Sequence, residues 1–200
     1  MGDARGPEDR SPKAGLRVVM LGAPGSGKGT QAGILSRRLA VPAISTGEML
    51  RDAVSAGTAL GRRVEDTMAA GRLVDDDLMA EVVRERVSRR DARQGFLLDG
   101  YPRTLPQATT LEAMLPQLGG PLDAVLLLEV PQQVLVTRAL GRGRADDEEG
   151  VVRERLRQYE EKTAPLVGHY EDLGLLRRID GNRTMDEVTA QVLLALGAGV

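Results

Sequence analysis

Two hundred residues with a formal net charge of −2 and 42% hydrophobic content suit one compact domain with inserted pieces and a sizeable core. The near-neutral balance supplies no basic field and argues against a nucleic-acid partner, and no apolar run reaches the length that spans a membrane. Cysteine is absent, which excludes disulfides and thiolate metal sites and fits a reducing, cytoplasmic setting.

Residues 1–15, MGDARGPEDRSPKAG, have no apolar periodicity and read as a disordered tail. Glycine at position 6 breaks the myristoylation pattern, and the tail lacks the apolar stretch of a secretory signal. The run Leu16 to Leu21, LRVVML, then reads as a buried strand. It leads into LGAPGSGKGTQ, residues 21–31, which holds four glycines and Lys28, in a chain with only three lysines (Lys13, Lys28, Lys162) against 24 arginines. Over residues 30–40, Ile34, Leu35 and Leu39 share one helical face. The glycines therefore lie between a strand and a helix N-terminus, where free N–H groups and the helix dipole favour an anion. Gly22-x4-Gly27-Lys28 matches the phosphate-binding loop, with backbone amides curled around a phosphate and Lys28 reaching the outer phosphates. Gly29 follows the lysine and displaces the usual hydroxyl to Thr30, which leaves direct magnesium ligation by that hydroxyl unassigned.

Farther along, short apolar runs alternate with helical patterns. Pro42 to Ser45, Gly95 to Asp99, Ala124 to Val130 and Leu175 to Asp180 read as strands. Helical stretches fall near 46–56, 61–70, 75–90, 105–118, 131–141, 149–172 and 184–196, the last opened by a Thr184/Glu187 capping box. This alternation predicts an α/β fold with a central parallel sheet covered on both faces. Ligands in such sheets bind beyond the carboxyl ends of the strands. The phosphate loop, Asp99 and the Thr46 region all follow strands, so they converge on one edge.

Three further constellations carry possible chemistry. Asp99-Gly100-Tyr101-Pro102-Arg103-Thr104 is as good a turn as it is a site. As a site, Asp99 suits magnesium or its water shell, and Arg103 suits a second phosphate. In Ser45-Thr46-Gly47-Glu48, Ser45 and Glu48 make a capping box, while Arg51 one turn later could meet an anion. From Arg138 to Arg157 arginines thicken around Gly141, Gly143, Gly150 and the acidic run Asp146 to Glu149. The default for such a run is a solvated face; the glycines also permit a mobile flap closing over phosphates. His169, the single histidine, lies far along the chain from every glycine loop and is assigned no catalytic role. Met20, Met49, Met68, Met79 and Met114 read as core filler.

The segments GAPGSGKGT, STGEMLR, GRLV, FLLDGYPRTLPQA and GRGRADD followed by VVRERL, in this order, resemble the adenylate kinase family over residues 16 to about 197. The resemblance implies a three-layer P-loop NTPase-type fold, with core segments 16–44, 75–140 and 153–200. It also implies an inserted helical nucleoside-monophosphate-binding domain at 45–74 and a short lid at 141–152. The implied reaction is reversible transfer from ATP with Mg2+ to AMP, giving two ADP. Carried over, Gly25, Ser26, Gly27, Lys28, Gly29 and Thr30 hold ATP phosphates, with Arg138, Arg142 and Arg183 on the ATP side. Thr46, Arg51, Arg72, Leu73, Val74, Gly100, Tyr101, Pro102, Arg103 and Gln107 match the AMP site, with Gln107 facing the base. Arg144 and Arg155 match arginines that contact the transferring phosphates and AMP. The catalytic charge falls to Lys28, Arg103, Arg138, Arg144 and Arg155, and Asp99 matches the aspartate that holds magnesium through water. Only Gly143 separates Arg142 from Arg144, which resembles the short-lid form, and without cysteine no structural zinc is expected. A monomer acting without nucleic acid or membrane is implied.

Such a reaction needs no general base, because the attacking AMP phosphate is already an anion and positioning with charge neutralisation suffices. A pyrimidine monophosphate kinase remains an alternative, discriminated by Thr46 and Gln107. A phosphate-loop switch that binds without transferring is the other, and it would need no second phosphate site.

Overall fold

The structure, a computed structural model, describes residues 15–143 and 147–198. At its centre lies β1 (Arg17–Leu21), buried along its whole length. Val18 and Met20 pack into one cluster and Val19 and Leu21 into another, because successive residues of a strand point to opposite faces. A strand apolar on both faces is stable only between two helical layers. Parallel neighbours flank β1: β3 (Phe96–Asp99) on one side and β4 (Ala124–Glu129) on the other. With β2 (Ala43–Ser45) and β5 (Leu176–Asp180) outside them, the sheet has five parallel strands in the order β2-β3-β1-β4-β5. On β5, Arg177, Arg178 and Asp180 are exposed, and such charges blunt an edge against further pairing.

One face of the sheet is covered by α1 (Lys28–Leu39) and α9 (Met185–Ala195), which bring Leu35 and Val192 against Val18, Leu97 and Leu126. The other face is covered by α4 (Asp76–Val87), α5 (Leu105–Met114) and α8 (Leu166–Asp172), which bring Val83, Leu111 and Tyr170 against Val19, Leu98 and Val125. The predicted three-layer α/β arrangement is what forms. Between β2 and α4 the chain makes an excursion of two helices, α2 (Thr46–Ser55) and α3 (Ala59–Ala69). Beyond β4, α6 (Gln132–Leu140) and α7 (Glu149–Gln158) pack on Ala23 beside the glycine loop.

Proline accounts for two departures from the expected helices. The stretch 149–172 is broken: α7 ends at Gln158, Tyr159–Thr163 form a π turn, and α8 starts after Pro165. The stretch 105–118 ends its α-helix at Met114 and tightens into a 3-10 turn around Pro116. In both, the ring removes a donor and crowds the preceding turn. The Thr184/Glu187 capping box forms in full. At Ser45 only half of the expected box forms, with Ser45 Oγ accepting from Glu48 N at 3.4 Å, since Ser45 is also the last rung of β2 opposite Asp99. Residues 1–14 of the expected tail lie outside the described residues.

Leu126 is fully buried at the middle of β4. Leu126→Ala should lower unfolding free energy by about 2–5 kcal/mol, lost transfer energy plus the residual cavity, read as a lower urea midpoint with unchanged slope.

Candidate active site

The loop Gly22 to Gly27 leaves the carboxyl end of β1 and enters α1 through Gly27, whose φ of 94° is left-handed and free of steric cost only for glycine. Among the described residues no side chain caps α1, so its first backbone N–H groups face an incoming anion. Lys28 Nζ turns back over this loop and donates to Gly22 O at 2.7 Å and Ala23 O at 3.0 Å. That bend holds the ammonium at the mouth of the loop. Ser26 is buried, and its Oγ has no hydrogen-bond partner among the described residues.

Facing the loop is the carboxyl end of β3. A Cβ on Gly29 would lie 3.3 Å from Asp99 Oδ2, so the carboxylate sits beside the first turn of α1. Arg103 is anchored at three points. Its Nε donates to Gly100 O at 2.8 Å, its backbone N–H donates to Gln107 Oε1 at 2.8 Å, and its carbonyl accepts from Thr163 Oγ1 at 2.9 Å. A Cβ on Gly47 would lie 3.3 Å from Arg51 Nη1 and 3.9 Å from Arg103 Nη2; one on Gly100 would lie 2.7 Å from Thr46 Oγ1 and 3.1 Å from Arg103 Nη2. Desolvation lowers the Arg103 pKa from its usual value, Asp99 opposes that, and the guanidiniums of Arg155 and Arg51 add to it. Arg103 stays protonated regardless. Three guanidiniums gathered around one partly desolvated point repel one another, and the arrangement is relieved by an anion of high charge.

The third side of the cleft comes from α6 and α7. Arg138 lines it and donates to Gly181 O at 2.9 Å. Asp147, whose side chain is almost fully buried, receives Arg142 Nε at 3.1 Å and lies 3.6 Å from Arg155 Nη1. One carboxylate therefore orients two arginines toward the cleft. A Cβ on Gly71, in the turn after α3, would meet Val151 O at 3.0 Å and Arg155 Cγ at 3.5 Å, so the excursion touches α7 and roofs the site.

The resulting cavity, of about 730 Å3, brings most of the expected residues together. Gly25, Gly27, Lys28, Gly29 and Thr30 line it on the loop side, and Arg138, Arg142 and Arg155 line it from above. Thr46, Arg51, Arg72, Leu73, Val74, Asp99, Gly100, Pro102, Arg103 and Gln107 line the remainder. Tyr101 does not: its ring is in the core, where burial, reinforced by Asp76, pushes its phenol up to about 12. Arg183 also stays outside the cavity lining, paired with Asp180 at 2.9 Å on a shallow neighbouring surface. Arg144 lies outside the described residues. His169 pairs with Glu112 at 2.8 Å, away from the cavity. Met20, Met68 and Met79, expected only as core, also line the cavity.

Several contributors had no clear sequence signal. Tyr159 and Thr163 reach the cavity because the π turn shifts the helical phase there, and such turns often mark functional sites. Asp147 sits in an acidic run with the composition of a solvated face. Asp76 accepts from Gln107 Nε2 at 2.6 Å and from Thr104 Oγ1 at 2.9 Å; it stands among three consecutive aspartates at a helix start, where the dipole alone would explain it. Among the described residues no cluster of three or more His, Cys, Asp or Glu side chains could hold a metal. A single carboxylate beside a phosphate site suits magnesium, which keeps most of its waters and shares substrate phosphates.

A glycine loop between the central strand of an all-parallel sheet, in a three-layer α/β fold, and its following helix defines the P-loop NTPase class. The adenylate kinase family model matches residues 20–175. An adenylate kinase of Xylella fastidiosa (strain 9a5c) is 48% identical over 186 residues, covering 91% of this chain and 100% of the relative. Another, of Nocardia farcinica, is 50% identical over 182 residues, covering 91% and 99%; one of Mycobacterium tuberculosis (strain ATCC 25177 / H37Ra) is 47% identical over 182 residues, covering 91% and 99%. The chain belongs to the adenylate kinase family.

Proposed function

We propose that the protein catalyses the reversible, magnesium-dependent transfer of the terminal phosphoryl group of ATP to AMP, giving two ADP, as a cytoplasmic monomer that balances adenine nucleotides. One observation carries the site assignment: the Lys28 loop and the Arg51–Arg103–Arg155 cluster face each other across a single cavity. A switch that only bound a nucleotide would need the first and not the second.

In this reading the loop residues Gly25 to Thr30 cradle the ATP phosphates through backbone N–H groups, and Lys28 follows the charge that develops on the transferred group. Arg103 and Arg51 grip the AMP phosphate, and Arg155, Arg138, Arg142 and Arg144 neutralise the bridging charge from the lid side. Magnesium arriving with ATP adds charge neutralisation across the phosphates, and Asp99 is the carboxylate that would hold it through water. Segment 45–74 acts as the monophosphate-binding unit and residues 141–152 as a short lid that keeps water out. Arg183 approaches the ATP base through the backbone of the loop it shares with Gly181. No nucleic acid, membrane or zinc takes part.

Gln107 and Thr46 set the base. A carboxamide offers a donor and an acceptor side by side, the complement of the adenine edge. In a coupled ADP-formation assay across AMP, GMP, CMP and UMP, AMP should lead by about tenfold or more in kcat/KM, since a mispaired buried amide costs roughly 1–3 kcal/mol per unsatisfied group. Gln107→Ala should raise KM for AMP while leaving ATP binding intact. Equal or better use of UMP or CMP by the unaltered protein would overturn the acceptor assignment.

A further inference from the structure

We infer that Asp76 is a positioning residue for base selectivity: by locking the Gln107 amide in one orientation, it makes the site read 6-aminopurines and reject 6-oxopurines. This rests on the reading above, in which Gln107 meets the purine.

The Gln107 side chain is almost fully buried and lines the cavity. Its Oε1 accepts from the backbone N–H of Arg103 at 2.8 Å, and its Nε2 donates to Asp76 Oδ1 at 2.6 Å. Both partners have fixed polarity. A backbone N–H only donates and an ionised carboxylate only accepts, so the chemistry of the neighbours dictates which end of the amide is oxygen. Asp76 is itself held, because its other oxygen accepts from Thr104 Oγ1 at 2.9 Å. Thr104 in turn caps α5, accepting from Gln107 N at 3.3 Å. The carboxylate, the hydroxyl and the amide form a closed local circuit that starts on α4 and ends on α5.

Each end of the amide keeps one unused valence: a second N–H on Nε2 and a second lone pair on Oε1. These present a donor and an acceptor in fixed order to a ligand in the cavity. Adenine offers an amino donor at position 6 next to a ring acceptor at position 1. A 6-oxopurine such as hypoxanthine offers the same two positions with the polarities exchanged. A glutamine free to turn over would satisfy either base. One held by Asp76 satisfies adenine only, because turning over would set the carbonyl oxygen against the carboxylate and the amide N–H groups against the Arg103 N–H. The discrimination thus comes from a repulsive element behind the residue that touches the base.

The test compares AMP and IMP as phosphoryl acceptors in the full chain, with wild type, Asp76→Ala and Asp76→Asn. Wild type should favour AMP strongly. Asp76→Ala should cut the AMP-to-IMP ratio of kcat/KM severalfold, up to about tenfold for one hydrogen-bonding mismatch, because the Arg103 N–H still opposes the turned-over amide; KM for ATP should stay unchanged. Asp76→Asn keeps the volume of the side chain and can present either an oxygen or an N–H to Gln107, so its ratio should fall between the two. If Asp76→Ala does not fold, the Asp76→Asn ratio decides. A merely structural role for Asp76 would depress both acceptors alike, and an unchanged ratio in a folded variant overturns the inference. A wild-type protein that uses IMP as well as AMP also overturns the inference, whereas equal or better use of UMP or CMP overturns the reading on which it rests.

Discussion

Lys28→Met should leave a folded protein whose phosphoryl transfer is slower by at least ~10²-fold, as expected for loss of a positive charge that stabilises the transition state. The backbone has little reason to change: Lys28 is the first residue of α1, and methionine is a comparably good helix former of similar length. What disappears is the ammonium, with its bonds to the Gly22 and Ala23 carbonyls. Among the described residues this ammonium is the charge that the glycine loop itself places. Circular dichroism should match the parent, and the deficit should appear in kcat more than in KM for either nucleotide. Near-normal turnover in a folded variant would sink the role given to Lys28.

Two glycines that look alike in sequence should respond oppositely to alanine. Gly61 lies in α3, and a Cβ there would overlap the carbonyl of Ala53 and come 2.7 Å from Val54 Cα. These are backbone atoms of α2, so no side-chain rotation relieves the clash and the two helices must separate. Overpacking commonly costs 1–3 kcal/mol; against rigid backbone Gly61→Ala should cost at least about 3 kcal/mol. Because α2 carries Thr46 and Arg51, surviving folded protein should show a raised KM for AMP with KM for ATP unchanged. Gly33 lies in α1, where a Cβ would meet no atom of the described residues within 4 Å. Gly33→Ala should therefore gain about 0.5–1 kcal/mol from lower chain entropy and better helix propensity. Urea denaturation of both variants checks the pair, and equal stabilities would refute the close-approach account.

The framework of the molecule was legible because its signals are local. The apolar runs at 16–21, 95–99 and 124–130 declare buried strands, and the glycine loop with Lys28 declares an anion site wherever a strand meets a helix. The sheet order was not spelled out, since nothing in RVVML states that its neighbours lie at 96–99 and 124–129. The site was legible where a motif names the residue, as with Arg103 or Thr46, which both line the cavity, and illegible where a residue acts on another residue. Asp76 and Asp147 have the composition of helix-start and surface charge, and only their partners, Gln107 and Arg142, reveal them. Thr163 was hidden for another reason: an extra residue in the π turn rotates it out of the face that a continuous helix would give it.

The place of β1 in the sheet also has a consequence for how the chain is made. Among the strands the central one emerges first, and both of its neighbours emerge much later. At about 5–20 residues per second, the run Arg17–Leu21 waits roughly 5–20 s before Glu129 has been added. For most of that interval, until Phe96–Asp99 has been added, an apolar, β-branched segment has neither partner strand, which is the condition under which nascent chains invite wrong pairings. Nucleotide offers no early rescue, because the glycine loop hangs from that same strand and is backed by Leu135, whose carbonyl oxygen a Cβ on Gly25 would overlap. A ribosome-bound chain stopped before β4 should therefore be unresponsive to ATP, and the ligand begins to protect the protein only after the greater part of it has been synthesised.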